Sequence, residues 1–297
     1  MNSSQPEAGH PNPSVNFGSN QRSLSVPPVA RDGAGPAAPL PLLHSSVRQT
    51  TAAVWRRFST EIRKPAILSF LAIYALLGLL FFFVPEIDLG FSSLFYTPGN
   101  GFALGSRSST IVLPFLPWVT IAFANVLGFL LIRNLVVWRR NRQSTSHSLA
   151  LRLILFLLLT LICGPGLIVN VILKEQWGRS RPYRVEAFGG EREFTAAFVT
   201  TGRCKSNCSF VSGDAAMGYY LIAFFFIARK RRWTIALAAY TVGTAIGLVR
   251  IAQGAHFLSD VIFAGFFTFL VAWILSILLL PAQENSATPL APSFDRQ

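Results

Sequence analysis

Charge is scarce in this sequence of 297 residues: 13% are Asp, Glu, Lys or Arg, against 52% hydrophobic, and the mean hydropathy is +0.46. An ordinary soluble domain carries about 25% charged residues, so a soluble fold is excluded and a bilayer is the natural solvent. Acidic residues are scarcer still, 13 against 26 Lys and Arg, leaving a net charge of +13. In a soluble protein that excess would point to nucleic acid. Here most cations flank apolar runs of spanning length, so phospholipid headgroups, and no nucleic acid, are the expected partners. Only three cysteines occur, Cys163, Cys204 and Cys208, which excludes a disulfide-rich scaffold and a thiolate metal cluster. Residues 1–60 lack apolar periodicity and the charged-then-apolar pattern of a cleavable signal. Rich in Ser, Pro, Gly and Asn, they read as a disordered cytoplasmic tail, and residues 282–297 as a short polar one.

A helix crosses the ~30 Å hydrocarbon core with about 20 apolar residues. Six runs of that length are bounded by charge: residues 65–84, 110–132, 149–173, 210–228, 233–249 and 257–280. The expected fold is therefore all-α, an integral membrane bundle of six transmembrane helices over residues 61–281. The fifth run is short and rich in Gly and Ala, which suits close packing inside the bundle. Cytoplasmic loops collect Lys and Arg. Arg56, Arg57, Arg63 and Lys64 precede the first run, Arg139, Arg140 and Arg142 follow the second, and Arg229, Lys230, Arg231 and Arg232 follow the fourth. These loops, and both termini, are placed in the cytoplasm, and the connections 86–108, 174–209 and 252–255 outside.

The loop 174–209 breaks that rule, with Lys174, Arg179, Arg181, Arg184, Arg192, Arg203 and Lys205 on the outer side. Glu175, Glu186, Glu191 and Glu193 would balance a merely solvated loop; the spacing argues for more. Lys174 ends the third run, and Arg181 and Pro182 close the segment K-E-Q-W-G-R-S-R-P. Arg offers phosphate a planar fork, Lys a point charge, and Pro182 stiffens the turn. Taken alone, the segment reads as snorkelling toward headgroups. The fourth run opens with Ser209-Phe210-Val211-Ser212-Gly213-Asp214, where a helix N-terminus points its free N–H groups outward. Gly213 would let an anion approach the backbone, and Ser212 would donate to it or simply cap the helix.

The third cluster is Arg250, His256 and Asp260 in R-I-A-Q-G-A-H-F-L-S-D. His256 and Asp260 are four apart, on one helix face, so the carboxylate can hold the imidazole in one tautomer, as an orienting group holds a nucleophile or base. A structural pair is the plainer reading, but ionisable groups in membrane segments are costly to keep without a function. All three clusters fall at the outer face in the six-span topology. Three cations, a helix N-terminus and a carboxylate-backed His at one depth make a phosphate cradle with a nucleophile. Cys204 and Cys208 lie on the same face, where an oxidising compartment permits a short disulfide.

These segments resemble the type 2 phosphatidic acid phosphatase (PAP2) superfamily, whose pattern is K-x6-R-P, then P-S-G-H, then S-R-x5-H-x3-D. The first matches fully, and the third at Arg250, His256 and Asp260, with Val249 in place of Ser. The resemblance covers about residues 70–280, and residues 91–101, with F-Y-T-P-G, look like the family's loop after the first span. It implies metal-independent, cofactor-free phosphoryl transfer. His256 would attack phosphorus to form a phosphohistidine, Asp260 would orient it, and Lys174, Arg181 and Arg250 would neutralise the phosphoryl oxygens, helped by N–H groups near Ser212 and Gly213. The second motif departs, reading V-S-G-D, so Asp214 stands where the family has its general acid. An Asp can donate a proton only if its pKa is raised, so phosphoanhydrides and glycosyl phosphates, with better leaving groups, are expected to be preferred. Bacterial members, lipid A phosphatases among them, imply an inner-membrane enzyme acting on a phosphorylated membrane lipid from the periplasmic side. Phosphatidic acid, phosphatidylglycerol phosphate, polyprenyl pyrophosphate and lipid A phosphates remain open as substrates. A non-catalytic lipid-phosphate binder or transporter is the alternative. A proton-coupled carrier would place its charges at mid-bilayer rather than at span ends.

Overall fold

The computed structural model describes residues 41–105, 115–140 and 145–282, and from Val47 onward they belong to one compact unit. Helix α1 (Pro41–Ile62) leads to α2 (Pro65–Phe83), α3 (Glu86–Ser93) and a two-residue antiparallel hairpin, β1 (Tyr96–Thr97) with β2 (Gly101–Phe102). After α4 (Leu116–Arg140), α5 (Thr145–Leu161) runs through a π-helical stretch (Ile162–Leu173) into α6 (Lys174–Gln176). A long loop precedes α7 (Gly213–Tyr219), which continues by a 3-10 turn into α8 (Ala223–Ile227), and α9 (Arg232–Ala252) and α10 (Leu258–Leu279) follow.

The fold is all-α, as expected. Among the described residues, five helices are long and apolar enough to cross a membrane: Pro65–Phe83, Pro117–Arg140, Ser146–Gln176, Arg232–Ala252 and Leu258–Leu279. The remaining expected span, the fourth run at 210–228, is a shorter apolar helix, Gly213–Ile227, about 22 Å long at 1.5 Å per residue. Its N-terminal end is trimmed because Ser212 is extended (φ −72°, ψ 109°) and sends its N–H to the Asp260 carbonyl at 3.1 Å instead of into a helix. The start of the second run, 110–114, lies outside the described residues, as do residues 1–40, Arg142 and the C-terminal tail from 283.

One expectation is corrected. Residues 41–60, read as disordered tail, lie in α1. That helix has a partner: Phe58 packs on Trp273 with ring centroids 5.4 Å apart, and Arg57 donates to the carbonyls of Ile277 and Leu280. Those carbonyls end α10 without helical partners, so a guanidinium there caps the helix. The fifth span, expected inside the bundle, packs closely on part of its surface only. Its Gly243 meets α7 so closely that a Cβ on Gly218 would come within 2.7 Å of the Gly243 Cα, yet Trp233, Leu237 and Leu248 on other faces are exposed. The most buried span is α10, whose Val261, Phe263 and Ala264 join Phe81, Val169, Phe210, Tyr219 and Ile251 in the main apolar cluster.

The π-helical stretch has a local cause. Pro165 supplies no N–H and its ring crowds the preceding turn, which widens the helix. Asn170 spans the wide turn, donating from Nδ2 to the Pro165 carbonyl at 2.7 Å. The result is that Asn170 stands just before Lys174 with its oxygen free to accept.

Candidate active site

Gly254, with φ +67°, turns the chain between α9 and α10, and Phe257 is extended before the helix begins. Asp260, in the first turn of α10, reaches back so that its Oδ2 accepts from the Phe257 N–H at 2.8 Å. The same oxygen accepts from the Ser209 hydroxyl at 2.5 Å, while Oδ1 accepts from Arg179 Nη1 at 2.6 Å. Asp260 therefore fastens the end of the long loop to the start of α10.

His256 is fully buried. Its Nδ1 lies 2.7 Å from the Ser209 carbonyl oxygen and 3.7 Å from Asp260 Oδ2. A carbonyl only accepts, so Nδ1 carries the proton and Nε2 holds a lone pair. Nε2 is buried and has no hydrogen-bond partner. The expected direct His256–Asp260 clamp is thus replaced by a relay in which Asp260 holds the Ser209 side chain and the Ser209 carbonyl holds the ring. Burial, with Arg181 and Arg250 nearby, pushes the imidazole pKa down to about 4, against the raising effect of Asp260. The ring is neutral at neutral pH, the state in which it can attack.

Behind this ring lies a network that the sequence did not single out. Arg179, completely buried, donates to Asp88 Oδ2 at 2.7 Å, Asp260 Oδ1 at 2.6 Å, Ser259 Oγ at 2.8 Å and the Thr195 carbonyl at 2.9 Å. Its guanidinium sits 4.3 Å from the Phe257 ring centroid. Asp88, on α3, also accepts from the Ser259 N–H and hydroxyl at 2.8 and 2.6 Å. Burial opposes the Arg179 charge, but Asp260 and Asp88 outweigh it and raise its pKa, whereas burial lifts that of Asp88. Arg179 lies inside K-E-Q-W-G-R-S-R-P, where the sequence shows it only as one more loop charge. Asp88 sits far away in sequence, in a segment with no local signature.

The remaining candidates form a second group. Lys174 Nζ donates to Asn170 Oδ1 at 3.3 Å. Arg181, mostly buried, has its pKa lowered by that burial and by Arg250, and its Nε and Nη2 donate to the Asn207 carbonyl and Oδ1 at 2.9 and 2.7 Å. Arg250 Nη1 donates to Gln253 at 2.6 Å, and its Nε lies 2.9 Å from Asp214 Oδ2, an ion contact without hydrogen-bond alignment. Lys174 lies within electrostatic reach of Arg181, Arg250 and Asp214. Ser212 is the N-cap of α7, its Oγ accepting from the Ala215 N–H at 3.4 Å. Gly213 makes room for a neighbour, since a Cβ there would come within 2.2 Å of Asn170 Oδ1. The Cys204–Cys208 disulfide is formed.

The PAP2 superfamily model matches residues 149–283, which encloses every candidate from Lys174 to Asp260 but not Asp88. A lipid A 4'-phosphatase of Francisella tularensis subsp. novicida is 35% identical over 210 residues, covering 69% of this chain and 91% of that protein. The chain belongs to the PAP2 superfamily. Proteins of the same name from Rhizobium leguminosarum and Rhizobium etli are 33% and 31% identical over 211 residues, covering 68% of this chain and 90% and 82% of theirs. No solved structure matches the chain. As a PAP2 protein with membrane-spanning helices, it is a membrane lipid phosphatase, a hydrolase acting on a phosphomonoester.

Proposed function

We propose that this PAP2 phosphatase removes a phosphate from a lipid A-type headgroup through a phosphohistidine on His256. The observation that carries this reading is the His256 ring, held by the Ser209 carbonyl so that a buried lone pair on Nε2 is left free. Nε2 would attack phosphorus while the bond to the lipid oxygen breaks. Lys174, Arg181 and Arg250 would hold the phosphoryl oxygens, with N–H groups at the start of α7 near Ser212 and Gly213, neutralising charge as it spreads in the transition state. Water would then attack phosphorus, releasing inorganic phosphate and restoring the imidazole. No metal enters these steps.

The names of the relatives support a 4'-phosphate on lipid A as substrate. A 4'-phosphate leaves from an ordinary sugar hydroxyl, so this reading sets aside the preference for anhydrides and asks for a general acid. Asp214, whose Oδ2 lies 2.9 Å from Arg250 Nε in the cradle, is the candidate for that role. After donating to the leaving oxygen, Asp214 would take the proton of the attacking water. The flanking Lys and Arg clusters support an active site on the periplasmic face of a bacterial inner membrane, with both termini cytoplasmic. Rapid-quench reaction of purified protein with 32P-labelled lipid A tests the mechanism. Acid-labile, base-stable label on the wild type and none on His256→Ala is the expected result.

A further inference from the structure

The loop closed by the disulfide reads C-K-S-N-C, with Cys204 and Cys208 buried and the tip between them exposed. Asn207 at that tip makes three contacts at once. Its N–H donates to Glu175 Oε1 at 3.1 Å, its carbonyl accepts from Arg181 Nε at 2.9 Å, and its Oδ1 accepts from Arg181 Nη2 at 2.7 Å. Glu175 directly follows Lys174, so one residue ties together the two ends of the K-x6-R segment. The backbone of Asn207 is left-handed, with φ +51°, a conformation Asn adopts more readily than most residues. In it, carbonyl and side chain meet the same guanidinium, leaving Arg181 Nη1 without a partner among the described residues.

We infer that Asn207 is a positioning residue for the phosphate-binding Arg181 and that the Cys204–Cys208 disulfide holds it in place. The inference rests on the reading of Arg181 as a phosphate ligand. A neutral amide suits the task. Two uncharged oxygens fix the plane of the guanidinium without cancelling its charge, whereas a carboxylate would compete with the substrate phosphate. The disulfide restrains a tip that would otherwise be free to swing away from Arg181, since the bond removes conformations of the short loop.

Inorganic phosphate is the probe, its affinity read from the rise in Tm of the purified full chain with phosphate concentration, which needs no turnover. Asn207→Gly keeps the left-handed backbone and the carbonyl but deletes Oδ1, and is expected to weaken phosphate about tenfold. Cys204→Ser with Cys208→Ser should weaken it at least as much. Asn207→Asp, which keeps both oxygens, should also weaken phosphate, an outcome that a purely structural role would not give. In an Arg181→Ala background, Asn207→Gly should change the affinity less than twofold. Equal losses in both backgrounds, or wild-type affinity in the double Ser variant, would overturn the inference. Wild-type affinity in Arg181→Ala alone would instead sink the cradle reading, and the positioning role with it.

Discussion

Two groups of charges near His256 differ in how they are used. In one, Arg179, Asp88, Asp260 and Ser259 are fully buried, and the guanidinium, both carboxylates and the Ser259 hydroxyl all have partners. In the other, Lys174, Arg181 and Arg250 keep part of their donor capacity uncommitted, and His256 Nε2 has no partner at all. A saturated network holds geometry and has nothing left to bind with. An unsaturated cluster of like charges is costly to keep until an anion arrives, which is why the proposal puts the substrate phosphate there.

The largest effects should separate these halves. His256→Gln, at the boundary, is expected to abolish turnover while unfolding near the wild-type temperature; residual phosphate release within tenfold of wild type would remove it from the chemistry. Arg179→Met should cost about 3–5 kcal/mol of stability by leaving buried carboxylates unpaired, seen as a lower unfolding temperature in detergent. Arg250→Ala should show the reverse pattern: a loss of about 10²-fold or more in kcat/KM with under about 1 kcal/mol in stability. If the two variants behaved alike, the division would be wrong.

The pH dependence sharpens the same boundary. With the His256 pKa at about 4 when folded and about 6.5 when unfolded, the unfolded chain binds a proton between those values that the native state refuses. Stability contributed by neutral His256 is therefore complete above about pH 6.5 and is lost as pH falls toward about 4. The unfolding temperature of the wild type should drop over that window more steeply than that of His256→Gln. Parallel curves would contradict the depressed pKa. A smaller effect is expected from Gly213→Ala, which pushes Asn170 aside and lets Lys174 wander; KM should rise several-fold with kcat little changed, and an unchanged KM would dismiss the Asn170 contact.

What could be read from the sequence divides along the same line. Five spans and the candidate cradle are legible because membrane runs and the K-x6-R-P and R-x5-H-x3-D spacings are local in sequence. The helix of the fourth run is shorter than its apolar stretch because Phe210–Ser212 are buried in the loop rather than wound into the helix, and hydropathy does not register that difference. The supporting network was illegible for another reason. Asp88 meets Arg179 across 91 positions and Ser259 across 171, so neither carries a pattern that spacing could reveal. The ion pair of Asp214 with Arg250 is likewise hidden from the sequence, because it depends on how α7 packs against α9.

The central claim is that the free Nε2 of His256 forms a bond to phosphorus. The most direct measurement is rapid-quench trapping with labelled lipid A, followed by mass spectrometry of the peptide containing residue 256. The account predicts a burst of acid-labile phosphate on His256 that forms faster than inorganic phosphate is released. Pre-steady-state release of phosphate with no phosphopeptide at any time would contradict it and leave water as the direct attacking group.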